Sequence, residues 1–237
     1  MIRVAAVADV HMAADARGTL RHAFDRLPEL ADVLLLAGDL TRVGTEDELR
    51  VLLEELQGVT VPQFAVLGNH DFESDRVESL VKLLDGAEVR VLEGDAAVID
   101  IGGETLGVAG TKGFGGGFAG ACGSDFGEPE MKAFVRHTRA LADDLHLALE
   151  SLHADVRVAL THFAPVKDTL GGERLEIYPF LGSYLLGEAI DAAGADLVVH
   201  GHAHHGTEKG VTPGGIPVRN VALPVIKTAY AVYCLNT

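Results

Sequence analysis

Five short polar motifs each follow an apolar, β-branched run, and their positions constrain the fold more than any other feature of this chain. The runs have the composition of buried β-strands, so each motif falls where a strand ends and a loop begins. Ligands of open α/β sheets bind at the carboxyl ends of the strands. The order of the motifs therefore predicts one polar site assembled from five strand ends. The motifs are Asp9-Val10-His11, Gly38-Asp39, Gly68-Asn69-His70-Asp71, Thr161-His162 and Gly201-His202-Ala203-His204.

The first ninety residues alternate between strand-like and helix-like segments. This rhythm predicts right-handed βαβ crossovers and a parallel sheet. The strand-like runs are apolar on both faces, as a sheet covered on both sides requires. The expected strands are Val4–Ala8, Val33–Ala37 and Pro62–Leu67, and the expected helices are Leu20–Leu30, Asp47–Leu56 and Arg76–Leu84.

The rest of the chain begins with short strands and a hairpin and then returns to the alternation of strand and helix. Glycines crowd residues 113–120, where we expect a flexible loop near the substrate mouth or, as the alternative, a structural turn. Helical spacing of apolar residues predicts a long helix over Pro129–His153, and a helix is also expected over Tyr184–Ala193. The expected strands are Glu88–Leu92, Ala96–Ile101, Thr105–Val108, Val156–Leu160, Leu197–Val199, Ile216–Val221 and Ala229–Leu235, with a further strand around Val211.

Composition narrows the class of protein. A hydrophobic content of 48% over 237 residues argues against disorder and allows residues 1–237 to form a single domain. No run reaches the roughly 20 apolar residues of a membrane span, and no signal peptide precedes the first strand, so we expect a cytoplasmic protein. The formal charge of −16, without a Lys/Arg cluster, argues against duplex nucleic acid and membrane surfaces as partners. A small phosphorylated substrate remains compatible, and a homo-oligomer is left open.

The residue types in the motifs are those of a metal site. Asp39 stands alone after its strand and is the natural carboxylate to bridge two ions. Asp9 and His11 are two residues apart and can reach one ion, whereas His202 and His204 can reach the same ion or adjacent ions. Asn69 offers a neutral carbonyl oxygen. Mixed imidazole and oxygen ligands suit two divalent transition-metal ions, such as Mn, Fe, Zn or Ni, better than Ca or Mg.

Together these motifs resemble those of the calcineurin-like metallophosphoesterase superfamily, since all five occur in the family's order from Asp9 to His204. The resemblance implies an α/β fold of four layers, an α/β/β/α sandwich of two mixed sheets with outer helices. It also implies that His70 stabilises or protonates the leaving oxygen. The implied ligands are Asp9, His11, Asp39 and His204 for one metal and Asp39, Asn69, His162 and His202 for the other.

Two positions depart from the protein Ser/Thr phosphatases of that superfamily. Those enzymes carry a second Asp in the second motif, which supports the catalytic His, and here Arg42 occupies its place. They also carry an Arg before the third motif, where this chain has Val66-Leu67. Both departures argue against a protein phosphatase and leave the partner that orients His70 open. The Gly-Asn-His-Asp form resembles small bacterial phosphodiesterases instead.

The resemblance implies a dinuclear, metal-dependent phosphoesterase. We expect a phosphodiesterase that hydrolyses a small phosphodiester or nucleotide by attack of a metal-bridging hydroxide. The alternatives are a phosphomonoesterase, a nucleotide pyrophosphohydrolase or a nuclease with the same site. A non-catalytic, metal-bearing scaffold is disfavoured because the chain keeps every ligand and His70. Two roles stay open at Asp71, which either orients a neighbour or caps the following helix.

Overall fold

Two β-sheets lie face to face at the centre of the protein, in a computed structural model that describes residues 1–236. The first sheet has five strands in the order β13-β1-β2-β3-β4, and only β13 runs antiparallel to its neighbour. Its strands are β1 (Ile2–Val7), β2 (Val33–Ala37), β3 (Gln63–Val66), β4 (Val89–Val91) and β13 (Ala231–Leu235).

The second sheet has six strands in the order β11-β12-β10-β9-β6-β5, with parallel pairing at its centre and an antiparallel strand at each edge. Its strands are β5 (Asp95–Ile101), β6 (Glu104–Thr111), β9 (Val156–Thr161), β10 (Leu197–His200), β11 (Lys209–Val211) and β12 (Pro217–Asn220). A small separate hairpin pairs β7 (Gly117–Phe118) with β8 (Ala121–Cys122).

Helices cover the outer face of each sheet. The helices are α1 (Arg21–Asp25), α2 (Leu27–Leu30), α3 (Glu46–Leu56), α4 (Val77–Gly86), α5 (Pro129–Ser151), α6 (Tyr178–Leu181), α7 (Tyr184–Ala193) and α8 (Leu223–Ile226). No helix in this described part of the chain is both long enough and apolar enough to cross a membrane.

Alternating residues of the strands build separate layers of core, as the period of a strand requires. In β2, Leu35 points between the two sheets, where it packs with β9 residues such as Leu160. Its neighbours Leu34 and Leu36 point to the other face and pack beneath α1 to α4. The outer face of the second sheet is covered by α5 and α7. The four-layer sandwich expected from the resemblance is therefore confirmed.

Two of the differences from the expected elements have a clear local cause. The expected single helix Leu20–Leu30 is two short helices, because Pro28 lies in the first turn of α2 and lacks the N–H that would continue α1. The expected strand Ile216–Val221 ends at Asn220, and α8 follows before β13. This four-residue helix is too short to leave a periodic signal in the sequence.

Backbone hydrogen bonds join the loops at the carboxyl ends of the central strands. Asp9 N donates to Gly38 O (3.0 Å), and His11 N donates to Asp39 O (3.0 Å), which ties the loop after β1 to the loop after β2. In the second sheet, Gly201 N donates to His162 O (3.1 Å), which ties β10 to β9. Main-chain contacts therefore hold four of the five motifs in two pairs, and His70 N, which donates to Asp39 Oδ1 (2.9 Å), joins the fifth motif to the first pair.

Candidate metal centre

All seven predicted ligands come together at one end of the sandwich, in two groups that share Asp39. Candidate ligand atoms of Asp9, His11, Asp39 and His204 lie within 4.8 Å of one another, and so do those of Asp39, His162 and His202. Asn69 joins the second group, with its Oδ1 3.1 Å from His162 Nε2. The division into two groups is the one that the resemblance implies.

Asp39 lies between the two groups with one oxygen left without a partner. The residue is 1% exposed. Its Oδ1 accepts from His70 N (2.9 Å), whereas its Oδ2 is buried with no hydrogen-bond partner among residues 1–236. A buried carboxylate oxygen without a partner is costly in free energy. A cation at this position would remove that cost, so Asp39 fits the role of a shared ligand.

Backbone carbonyls orient the two imidazoles of the second group. His162 Nδ1 donates to Ala37 O (2.9 Å), and His202 Nε2 donates to Phe180 O (3.1 Å). Because a carbonyl can only accept, the ring nitrogen beside it carries the proton, which leaves His162 Nε2 and His202 Nδ1 as lone-pair donors. The free His162 Nε2 then faces Asn69 Oδ1 and, at 3.4 Å, Asp39 Oδ1. Several lone pairs directed at one point are the arrangement that a cation requires.

The first group is held together by Asp9. Its Oδ1 accepts from His204 Nε2 (2.8 Å), and its Oδ2 accepts from His202 N (2.8 Å). Burial would raise the pKa of Asp9, but the hydrogen bond from His204 and the nearby imidazoles hold that pKa below its usual range. Asp9 is therefore ionised at neutral pH, as a metal ligand must be.

Desolvation keeps two of the histidines neutral. Removal of the rings from water lowers the pKa of His11 and lowers that of His202 to about 3. The neutral imidazole is the form that binds metals. For His204, the hydrogen bond to Asp9 raises the pKa instead.

The backbone is left-handed at four of the candidate ligands. Asp9, His11, Asp39 and His202 have φ values of 56°, 42°, 53° and 69°. Such values are uncommon for residues other than Gly and concentrate at functional sites. Seven residues of the described chain other than Gly have positive φ, and the site contains four of them. The sharp turns after the strands thus direct these side chains back toward one another.

A glycine precedes three of the ligands because the loops approach too closely for a side chain. A Cβ at Gly68 would overlap Asp39 Oδ1, and a Cβ at Gly201 would overlap Asp9 Oδ2. At Gly38, which has φ +85°, a Cβ would run into the His162 ring. The Gly-Asp, Gly-Asn and Gly-His dipeptides of the motifs therefore reflect the packing of one ligand loop on another.

His70 lies beside the first group, where its ring centroid is 4.4 Å from that of His11. Its Nδ1 donates to the backbone carbonyl of Arg42 at 2.8 Å, which leaves Nε2 as the free ring nitrogen. The partner that the sequence left open is thus the main chain of the residue that replaces the supporting Asp of protein phosphatases. A backbone carbonyl exists at every residue, so no side-chain signal could have identified it.

Asp71 orients the neighbouring loops and does not cap a helix. It is fully buried and accepts from Thr41 N (2.9 Å), Thr41 Oγ1 (2.6 Å), Gly68 N (2.8 Å) and Leu40 N (3.2 Å). Helix α4 begins only at Val77 and has no side-chain cap. Asp71 therefore ties the loop that carries Asp39 to the loop that carries Asn69.

The glycine-rich segment packs beside the residues that orient His202 of the second ligand group. Gly115 to Phe118 are buried, and Gly116 N donates to Pro179 O (2.7 Å). Pro179 lies in α6 next to Phe180, whose carbonyl orients His202. These contacts favour the structural-turn alternative for most of the segment. His200, which the motifs do not use, is fully buried and hydrogen-bonded to Thr169 Oγ1 (2.9 Å).

Fold and site together are those of a metal-dependent hydrolase, with two groups of candidate metal ligands that share a carboxylate at the carboxyl ends of a two-sheet sandwich. The family model of calcineurin-like phosphoesterases matches residues 2–206, and the chain belongs to this family. It is a metal-dependent phosphoric ester hydrolase, and the family works with divalent metal ions. The resemblance inferred from the motifs is confirmed.

Solved structures show the same fold at low sequence identity. The phosphopantetheinyl hydrolase PptH of Mycobacterium tuberculosis superposes with a TM-score of 0.72 at 17% identity, covering 98% of this chain and 96% of that one. The match to the NAD nucleotidase NadN of Haemophilus influenzae (TM-score 0.53, 14% identity) covers 98% of this chain and 49% of that chain. The match to GAP50, an anchor in the inner membrane complex of Plasmodium (TM-score 0.57, 11% identity), covers 94% of this chain and 72% of that chain. No curated protein matches the sequence significantly.

Proposed function

We propose that the chain is a dinuclear phosphodiesterase for a small phosphodiester or nucleotide. One observation carries the proposal: two groups of ligand atoms share the buried Asp39, whose Oδ2 has no partner among the described residues. In this proposal Asp9, His11, Asp39 and His204 hold one cation, and Asp39, Asn69, His162 and His202 hold the other. The mixed imidazole and oxygen ligands favour Mn, Fe, Zn or Ni.

The protein's own residues position the reaction. When bound, two cations would supply the means to form a nucleophile at neutral pH and to neutralise charge on the phosphoryl oxygens. Asp39 would serve both cations, since it belongs to both ligand groups. The carbonyls of Ala37 and Phe180 fix the rings of His162 and His202. The Arg42 carbonyl accepts from His70 Nδ1 and so fixes the ring with Nε2 on the opposite side. In its imidazolium form His70 also carries a proton on Nε2, and this is the proton that it would donate to the leaving oxygen.

Two features support a diester over the phosphoester of a phosphoprotein. His70 has a carbonyl partner in place of a carboxylate, and Val66-Leu67 replaces the arginine that protein phosphatases carry before the third motif. A phosphopantetheinyl group joined to an alcohol through its phosphate is also a phosphodiester. The name of the similar Mycobacterium protein is thus compatible with this proposal, and phosphopantetheinyl esters belong among the substrates to test.

The test is a substrate panel with defined Mn, Fe, Zn and Ni. We expect bis(p-nitrophenyl) phosphate to turn over faster than p-nitrophenyl phosphate, and both faster than a phosphoserine peptide. Asp39→Asn, which keeps the size of the side chain and removes its charge, should lose activity on all three. A preference for p-nitrophenyl phosphate would favour the phosphomonoesterase alternative and overturn the diester proposal.

If the protein is a non-catalytic scaffold, we expect a different result from the same substrate panel. A metal-bearing scaffold would bind two ions and hydrolyse none of the substrates, including nucleotides with a pyrophosphate bond and single-stranded oligonucleotides. Turnover that depends on added metal and disappears with Asp39→Asn would exclude it. Preferential cleavage of the pyrophosphate or of the oligonucleotide would instead identify a pyrophosphohydrolase or a nuclease.

A further inference from the structure

Lys112 is a buried ammonium without a carboxylate partner. It follows directly after β6, beside the second ligand group, and is 8% exposed. Its Nζ donates to Gly113 O (3.2 Å), and no carboxylate of residues 1–236 lies within 4.0 Å of it. Lysines are rarely buried unless they are paired, because the charge is costly to remove from water. The ammonium therefore has no anionic partner among the side chains of residues 1–236.

Three phenyl rings surround this ammonium. The Nζ lies 5.1 Å from the ring centroid of Phe72, 4.9 Å from that of Phe114 and 5.3 Å from that of Phe163. Such cation–π contacts stabilise a positive charge while excluding water from it. The side chain is thus held in place among the three rings and is not free to move into solvent.

The phenyl rings connect Lys112 to the metal centre. Phe163 packs on the His202 ring, with centroids 4.3 Å apart. Phe72 belongs to the short helical turn that begins at His70. The main chain is linked as well, because His162 N donates to Lys112 O (3.0 Å). Lys112 therefore lies between the second ligand group and the loop of His70, where a substrate would bind.

Two carboxylates act on Lys112 from a longer distance. Burial lowers the pKa of Lys112, whereas the charges of Glu93 and Asp39 raise it. Glu93 is engaged elsewhere, since it accepts from Thr111 Oγ1 (3.0 Å) and from Lys112 N (3.2 Å). Asp39 belongs to the centre itself. Neither carboxylate takes the place of a direct partner for the ammonium.

We propose that Lys112 is a substrate-binding residue whose ammonium contacts a phosphoryl oxygen of the substrate. Lys112, just after β6, would supply the positive charge that protein phosphatases obtain from an arginine before the third motif. This chain has Val66-Leu67 at that place. The inference rests on the proposed function for the phosphoester itself, and it adds the residue that recognises its charge. Inorganic phosphate carries the same oxygens, so it serves as a probe that needs no turnover.

The test compares Lys112→Met, which keeps the length of the side chain and removes the charge, with Lys112→Arg and with the exposed control Lys82→Met on α4. Calorimetry on the Mn-loaded proteins should show phosphate binding weakened roughly 10- to 100-fold by Lys112→Met, the range of one charge-assisted hydrogen bond. The kcat/KM for bis(p-nitrophenyl) phosphate should fall by a similar factor. We expect Lys112→Arg to recover most of the binding and Lys82→Met to match the wild type.

Three results would overturn the inference: unchanged phosphate binding in Lys112→Met, loss of metal from that variant, or an equal effect of Lys82→Met. A merely structural lysine would lower the melting temperature and leave phosphate binding intact. Lys112→Gln removes the same charge if Lys112→Met does not fold. Phosphate binding also separates the two proposals, because a wild type that cleaves no phosphodiester can still show the Lys112 effect.

Discussion

Substitution of Gly38 by Ala tests whether the packing of one ligand loop on another builds the metal centre. Gly38 has φ +85°, and a Cβ there would meet His162 Nδ1 and the backbone N of Gly68. The His162 ring cannot swing away without losing its hydrogen bond to Ala37 O, and it is fully buried. The new methyl group must therefore displace either His162 or the loop that carries Asn69.

Gly103→Ala is the matched control for the backbone part of this cost. Gly103 has φ +92°, and a Cβ there would meet nothing within 4 Å. Both variants carry the left-handed strain of about 1–2 kcal/mol, offset in part by a less flexible unfolded chain. Only Gly38→Ala adds overpacking, which costs about 1–3 kcal/mol. At about 2–4 °C per kcal/mol for a chain of this size, Gly38→Ala should melt about 2–12 °C lower than Gly103→Ala.

The assay measures melting temperature and metal content on both variants. Gly103→Ala should keep two metal ions per chain, and Gly38→Ala should lose the ion of the group that contains His162 first. If both variants melt together and both hold two ions, the close approach of Gly38 to His162 does not position the second group, and the reasoning fails.

Three further outcomes follow from the site. Reconstitution with Mn should give two ions per chain by elemental analysis, and full activity at one ion would refute the dinuclear arrangement. His70→Ala should keep both ions and slow turnover by roughly 10²–10⁴-fold for a poor leaving group, with a smaller loss for p-nitrophenolate; an equal loss for both leaving groups would contradict the role at the leaving oxygen. Asp71→Ala leaves the buried N–H groups of Thr41 and Gly68 without acceptors. It should lower the free energy of unfolding by roughly 2–5 kcal/mol in denaturant titrations, and an effect near zero would show that Asp71 does not tie the two loops.

The strand-end positions of the candidate ligands could be predicted from the sequence because motif and strand coincide. A ligand such as Asp39 or His162 follows an apolar run directly, so its place at a strand end can be inferred without knowledge of the fold. The grouping of the ligands came from the family resemblance, and the convergence of both sheets on one end explains it. Contacts that depend on the backbone or on tertiary packing were beyond the sequence. The carbonyls of Arg42 and Phe180 leave no mark on residue identity, and the aromatic surroundings of Lys112 come from three separate segments.

The left-handed backbone at Asp9, His11, Asp39 and His202 also bears on how such a chain changes over time. Strained φ values cost on the order of 1 kcal/mol each, so the four together reduce a folding free energy that is only about 5–15 kcal/mol in a typical protein. Substitution of Asp9 by Gly would relieve part of this strain and raise the melting temperature of the metal-free protein. A descendant that no longer cleaved phosphoesters would gain stability by losing its ligands.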